Sequence, residues 1–229
     1  MRPSYDAVIL DFDYTLADSS RGIIECVNYA LGALGLPLAS AERIRPTIGM
    51  SLPDILSQLA GNGAGARDEE FSRLFIERAD QIMAGMTVIY PVVPETVATL
   101  RAAGLRLAIV TTKLRYRIEA ILPPALRREF GLVIGVEDVS RPKPDPEGLL
   151  MAVAGLGSVP SRALYVGDSP TDAETARRAH VPFVAVLSGA TPESAFADYA
   201  PYAILENVAK LPALLLGDRS ANQGAPARI

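Results

Sequence analysis

A short apolar run that ends in two aspartates most constrains how this chain can fold. Residues 8–10 are Val, Ile and Leu, and they predict a strand buried on both faces, as in parallel sheets. Because side chains alternate along a strand, Asp11 and Asp13 share a face and could reach one pocket at its carboxyl end. Open α/β sheets place their ligand sites at that edge. Aspartates that merely begin a turn are the alternative, and this stretch alone does not choose between them.

Strand and helix patterns alternate from about residue 91 onward. β-α units with short connections predict a parallel sheet with helices on both faces, an α/β, Rossmann-like three-layer core. Between residues 19 and 89 the apolar spacing is helical and nothing indicates a strand, which predicts an all-helical insertion. We therefore expect a core made of residues 1–16 and 91–217, a helical domain at 17–90, and a disordered polar tail at 218–229.

The composition argues against several classes of protein. The 229 residues carry a net charge of −4 with no basic block, so nucleic acid is not expected as a partner. Cys26 is the only cysteine, which excludes an internal disulfide and fits a reducing compartment. His180 is the only histidine, so the chain is poorly supplied with residues for a His-based catalytic triad or a zinc cluster of His and Cys ligands. With no signal-like segment and no run of 18 apolar residues, we expect a soluble cytoplasmic protein away from membranes, a monomer or homodimer.

Three further polar segments follow predicted strands. Thr111 and Thr112 end one strand, Lys143 lies between two prolines, and Asp168 ends a later strand with Asp172 one helical turn beyond it. Each has a simpler interpretation: a threonine that only packs, a solvated loop lysine, and, for Asp172, an N-terminal helix capping box. For Asp172, capping and a functional role are compatible.

These segments, together with residues 11–16, which read Asp-Phe-Asp-Tyr-Thr-Leu, resemble in order the four motifs of the haloacid dehalogenase-like hydrolase superfamily. The resemblance covers about residues 5–216 and is nearest to the phosphoglycolate phosphatase-like branch, in which a helical cap occupies the position of residues 17–90. Tyr14 departs from the glycine that is most common there in the phosphatase branch.

The resemblance implies a Mg²⁺-dependent phosphatase that acts on a small phosphorylated metabolite through an aspartyl-phosphate. A carboxylate can serve as a covalent nucleophile, and Mg²⁺ prefers oxygen ligands. The implied roles are nucleophile and metal ligand for Asp11, general acid–base and metal ligand through its backbone carbonyl for Asp13, metal ligand for Asp168, outer-shell partner for Asp172, charge neutralisation for Lys143, and phosphoryl binding for Thr111 and the Thr112 N–H.

The substrate remains open at this point. Phosphoglycolate is the leading expectation, with a pyrophosphatase, a sugar-phosphate phosphatase or mutase, and a non-catalytic phosphate- or metal-binding module as alternatives. The resemblance argues against a dehalogenase, which lacks the aspartate found here as Asp13, and against phosphonate cleavage, which needs a cap lysine that residues 19–91 do not contain. Arg45 or Arg21 could bind a substrate carboxylate, although solvated surface arginines would look the same in the sequence.

Overall fold

Eight strands are present in the computed structural model, which describes residues 5–61 and 66–217. In chain order they are β1 (Ala7–Leu10), β2 (Ala17–Asp18), β3 (Val88–Ile89), β4 (Arg106–Val110), β5 (Leu132–Ile134), β6 (Ala163–Gly167), β7 (Phe183–Val186) and β8 (Ala203–Leu205). Six of them form one parallel sheet in the order β5-β4-β1-β6-β7-β8. Strand β1 is fully buried between β4 and β6. The sheet is built outward in opposite directions from β1, with β4 and β5 on one side and β6, β7 and β8 on the other, so the strand order reverses beside β1. Such a reversal opens a crevice at the carboxyl ends of the strands.

Some of the helices cover both faces of this sheet and the others form the insertion. The helices are α1 (Ser20–Ala33), α2 (Ala41–Ile44), α3 (Leu52–Ala60), α4 (Asp68–Met86), α5 (Val93–Ala102), α6 (Arg115–Ile121), α7 (Pro124–Arg127), α8 (Glu147–Gly155), α9 (Pro170–Ala179) and α10 (Leu211–Leu216). The alternation of side chains along β1 separates two cores: Val8 and Leu10 pack with α5, α6 and α10, whereas Ala7 and Ile9 pack with α8 and α9. The predicted α/β, Rossmann-like three-layer core is confirmed.

Helices α1 to α4 form the predicted helical insertion and enclose a third apolar cluster. Helices α1 and α4 are its main pair, with Val27 and Leu31 packed among residues that include Phe71 and Met83. The expectation of no strand between residues 19 and 89 is wrong at one end, because β3 pairs antiparallel with β2. The chain enters the insertion through β2 and leaves it through β3. The hydrogen bonds between these two strands satisfy backbone N–H and C=O groups of both connections. Two-residue strands are too short to show an alternating pattern.

The exact division into a core (1–16 and 91–217) and a helical domain (17–90) stays a prediction, although the β2–β3 pair lies at both of its boundaries. The predicted disordered tail at 218–229 lies outside the described residues. Across the two described ranges, we find no helix with the length and apolarity that a membrane crossing requires.

Candidate active site

The polar segments that follow β1, β4 and β6 meet at the carboxyl edge of the sheet, together with the loop that holds Lys143. Parallel strands bring these ends together whatever the distance between them in sequence. The backbone N–H of Asp11 donates to Val166 O at 2.8 Å, and that of Thr111 donates to Ile134 O at 3.0 Å, so sheet pairing continues to the edge of the site. Both side chains are buried.

Lys143 links two carboxylates beneath this edge. Its Nζ lies 2.7 Å from Asp11 Oδ1 and 2.6 Å from Asp172 Oδ1, and the lysine is 6% exposed. The Tyr165 hydroxyl donates to the same Asp172 oxygen at 2.9 Å. Burial alone would lower the pKa of Lys143, but the charges of Asp11 and Asp172 raise it well above its usual range. Lys143 is therefore a fixed cation beside Asp11, not the solvated loop lysine of the simpler interpretation.

The Asp172 carboxylate has three partners, and its position in the sequence predicted one of them, Ser169. Ser169 caps α9 and Pro170 is its first residue. Asp172 Oδ2 accepts from the Ser169 hydroxyl at 2.6 Å and from the Ser169 N–H at 3.2 Å, so the capping box is confirmed. The other oxygen faces Lys143 and Tyr165. These contacts occupy both oxygens of Asp172, which is the arrangement expected of an outer-shell partner.

Three buried carboxylates lie together at the site. Oxygens of Asp11, Asp168 and Asp172 all fall within 4.8 Å of one another. The described residues supply no hydrogen-bond donor to the Asp168 carboxylate, and Gly189 packs so closely against it that a Cβ would collide with an Asp168 oxygen. A set of carboxylate oxygens with one member unpartnered fits a hard divalent cation such as Mg²⁺.

Burial perturbs the titration of Asp11 and Asp168. Burial raises the pKa of Asp11 to about 7, against the opposing effect of the Lys143 ammonium. Burial, followed by the charges of Asp172 and Asp11, raises the pKa of Asp168 well above its usual range. A divalent cation that binds these carboxylates would have to displace the protons that burial favours.

Lys113 is a site residue that sequence analysis did not single out. Its Nζ lies 3.2 Å from Asp13 Oδ2, and both side chains are buried, at 6% and 7% exposure. Among the described residues, the other Asp13 oxygen is buried without a hydrogen-bond partner. The sequence signal that could have identified Lys113 is its position two residues after Thr111. In the structure, the Lys113 N–H donates to the Thr111 hydroxyl oxygen at 3.1 Å.

The cavities that adjoin the described site residues include two that lie between the sheet edge and the helical insertion. The larger cavity, of about 320 Å³, is bounded by Asp13, Thr112 and Lys113 on the core side and by side chains of α1, α3 and α4 on the other. The smaller cavity, of about 140 Å³, is bounded by Asp168, Tyr14 and Arg45, among others. Arg45 thus lines the same cavity as Asp168, whereas Asp13 lines the larger one.

Contacts of the insertion with the surroundings of the site include those of Thr112 and Tyr14. The Thr112 hydroxyl donates to Gly49 O at 3.3 Å, and Arg45 Nη1 lies 3.1 Å from Ser20 Oγ and 3.4 Å from the Tyr14 hydroxyl. Tyr14 has a φ of 58°, in the left-handed region that glycine adopts without strain, which accounts for glycine being usual there. Its buried ring packs into the apolar cluster of the insertion.

Comparisons with known proteins find relatives in both sequence and fold. A family model described as haloacid dehalogenase-like hydrolase matches residues 8–186. The phosphoglycolate phosphatase of Salmonella typhimurium is 33% identical over 205 residues, covering 80% of this chain and 81% of the relative. A solved haloacid dehalogenase-like hydrolase from Bacteroides fragilis is 38% identical, with a TM-score of 0.86, covering 91% of this chain and 100% of the other. A predicted phosphoglycolate phosphatase from Haemophilus somnus is 26% identical, with a TM-score of 0.79, covering 93% and 99%.

Proposed function

Because the chain belongs to the haloacid dehalogenase-like hydrolase family, we propose that it is a Mg²⁺-dependent phosphate monoester hydrolase in which Asp11 is the nucleophile. The observation that supports this best is the buried Lys143, held between Asp11 and Asp172 at 2.7 and 2.6 Å beside Asp168. A buried cation paired with a carboxylate at a ligand-binding edge is expensive to maintain without a function.

The reaction needs two carboxylates with different roles. Asp11 attacks the phosphorus, the bond to the ester oxygen breaks, and Asp13 gives its proton to the departing alkoxide. In the second half, a water attacks the aspartyl-phosphate and Asp13 accepts the proton of that water. Inorganic phosphate leaves and both carboxylates return to their initial states. Lys143 keeps Asp11 oriented and offsets its charge throughout.

Charge on the phosphoryl oxygens must be stabilised as the bond breaks. The Thr111 hydroxyl and the Thr112 N–H are the proposed donors, because both follow β4 at the sheet edge. Asp11 and Asp168, with the backbone carbonyl of Asp13, are the groups that would hold Mg²⁺, with Asp172 as their outer-shell support. When bound, Mg²⁺ would offset the repulsion between the anionic substrate and these carboxylates.

Phosphoglycolate is the first substrate to assay. Several relatives at about 30% identity are named phosphoglycolate phosphatase. Arg45 at the smaller cavity is the proposed partner for the glycolate carboxylate, provided that it exchanges its contacts with Ser20 and Tyr14 for the substrate.

The test is release of phosphate from a panel of phosphorylated metabolites by the purified protein, with Mg²⁺ and with a chelator. The proposal expects Mg²⁺-dependent hydrolysis of phosphate monoesters and an acid-stable phosphoryl group on Asp11 after rapid quenching. Hydrolysis of pyrophosphate well above all monoesters would favour the pyrophosphatase alternative. Binding of phosphate and Mg²⁺ without turnover of any ester would favour a non-catalytic module.

A further inference from the structure

The larger cavity begins at the proposed general acid. Asp13 and Lys113 form part of its wall, and from there it extends beneath the helical insertion. A general acid must lie within hydrogen-bond reach of the oxygen that it protonates. The alcohol portion of the substrate therefore departs on the Asp13 side, where this cavity is the space available to it.

The walls of the larger cavity are mainly apolar. Its volume of about 320 Å³ is that of a small-molecule binding site, far more than the two-carbon glycolate needs. The apolar side chains come from α1, the loop before α3, α3 itself and α4, and include Ile23, Ile48, Met50, Leu52, Ile55 and Phe75. An alcohol that displaces water from such walls gains binding free energy in proportion to the apolar area it buries.

The two cations that line the larger cavity already have acidic partners. Lys113 lies 3.2 Å from Asp13, and Arg117 Nη2 lies 2.7 Å from Asp80 and 2.9 Å from Ile76 O. Among the described residues that line this cavity, no other cation is present. A carboxylate placed there would be removed from water without a free counter-ion, and that desolvation is costly. The cavity is thus poorly suited to an anionic leaving group.

We infer that the larger cavity binds the apolar alcohol portion of the substrate, and that alkyl or aryl phosphate monoesters are better substrates than phosphoglycolate. This inference rests on the proposed phosphatase activity and names the substrate class of that site. The two-carbon glycolate of phosphoglycolate would fill only a small part of the larger cavity and would bring a carboxylate to its apolar walls.

A series of straight-chain alkyl phosphates from ethyl to hexyl tests the inference. Their leaving groups have nearly the same intrinsic reactivity, so differences in kcat/KM report binding in the cavity. Each buried methylene should raise kcat/KM about fourfold until the cavity is filled. Hexyl phosphate should then exceed phosphoglycolate, which is assayed beside it with Mg²⁺.

Two cavity variants and one control locate the effect. Leu52→Gln and Ile76→Gln each place an amide at a half-buried wall position, and either should reduce the gain from ethyl to hexyl phosphate about tenfold. Leu150→Gln makes the same type of change on α8 at a side chain that is 40% exposed and outside both cavities. It should leave the gain as in the wild type, and circular dichroism establishes that all three variants fold.

The outcomes separate this inference from the proposed function. If phosphoglycolate and all alkyl phosphates are hydrolysed but kcat/KM is flat or falls with chain length, the inference is overturned and the phosphatase activity stands. An increase with chain length that survives both cavity variants places the alcohol elsewhere and also overturns it. If no ester is hydrolysed, the proposed function itself fails and the inference fails with it.

Discussion

Lys113 Nζ lies 3.2 Å from Asp13 Oδ2 in an ion pair that is almost wholly buried. Since the second oxygen of Asp13 has no hydrogen-bond partner among the described residues, Lys113 is the contact that holds the carboxylate in place. Orientation is decisive for a general acid, because the transferred proton must point at the leaving oxygen. The pair therefore connects a residue outside the four family motifs to the proposed chemistry.

Replacing Lys113 by methionine should impair hydrolysis of substrates whose leaving group needs a proton. We expect kcat for an alkyl phosphate to fall about 10²-fold or more, the usual contribution of general acid catalysis. An activated nitrophenyl ester should lose much less, because its phenolate departs without protonation. The measurement is the ratio of kcat values for the two esters. Lys210→Met, at an exposed lysine outside the site, is the matched control. Equal losses on both esters would mean that Lys113 has only a structural role.

Replacing Asp11 by asparagine should abolish activity. The change keeps the shape of the side chain but removes the nucleophilic charge, a proposed Mg²⁺ ligand and the ionic partner of Lys143. We expect a loss of at least about 10³-fold in kcat for every ester, by analogy with other removed nucleophiles. Phosphate release and phosphoenzyme capture are the measurements. A variant that folds and retains most of the wild-type turnover would exclude the covalent mechanism.

Binding of Mg²⁺ should stabilise the protein more at pH 8 than at pH 5. The pKa of Asp11 is about 7 in the folded, metal-free chain, above the unfolded value. A raised carboxyl pKa contributes stability that is complete below the unfolded pKa and is lost as the pH rises through the folded pKa. The contribution of Asp11 to the folding stability of metal-free protein should therefore decrease between about pH 4 and pH 8. Mg²⁺ should restore stability at the pH values at which Asp11 has lost its proton.

The size of this effect follows from ligand linkage. At Mg²⁺ one hundred times above its dissociation constant, the gain is about 2.7 kcal/mol, or roughly 5–10 °C in Tm for a chain of this length. Thermal unfolding with Mg²⁺ and with chelator at the two pH values measures it. Asp168→Asn, which removes a proposed ligand, should lose the Mg²⁺-dependent part at pH 8. A shift equal at both pH values would argue against these carboxyls as the binding site.

The sheet and the set of converging motifs could be predicted because both depend on local patterns. Residues 8–10 are continuously apolar and become a strand buried on both faces. The residues that follow predicted strands, Asp11, Thr111 and Asp168, meet because parallel strands end at one edge. The capping box of Ser169 and Asp172 was likewise visible, since it depends on a spacing of three residues.

The remaining features depend on packing between distant segments. Helical spacing in α3 and α4 indicates two amphipathic helices but not how far they lie from the sheet edge, so the larger cavity could not be predicted. Lys113 has no nearby acid in the sequence, and its partner Asp13 is one hundred residues earlier. At Tyr14 the residue type gives no indication of a positive φ, which the surrounding turn imposes.

Arg45 lines the smaller cavity and not the larger one, so its replacement should distinguish substrates by the cavity that they use. The Arg45 side chain is exposed at the smaller cavity, which Asp168 also lines, and there two charge-assisted hydrogen bonds to a carboxylate could contribute about 1.5–3 kcal/mol, less if solvent screens them. Arg45→Ala should therefore raise KM for phosphoglycolate about tenfold, while KM for hexyl phosphate, whose alcohol has no charge to pair, stays within about twofold. Arg43→Ala removes a neighbouring arginine that bonds Leu59 O and lines neither cavity, so it should change neither KM. Steady-state kinetics on both esters decide the matter: equal increases in KM would show that Arg45 does not recognise the carboxylate, and pyrophosphate turnover far above phosphoglycolate would move the pyrophosphatase alternative ahead.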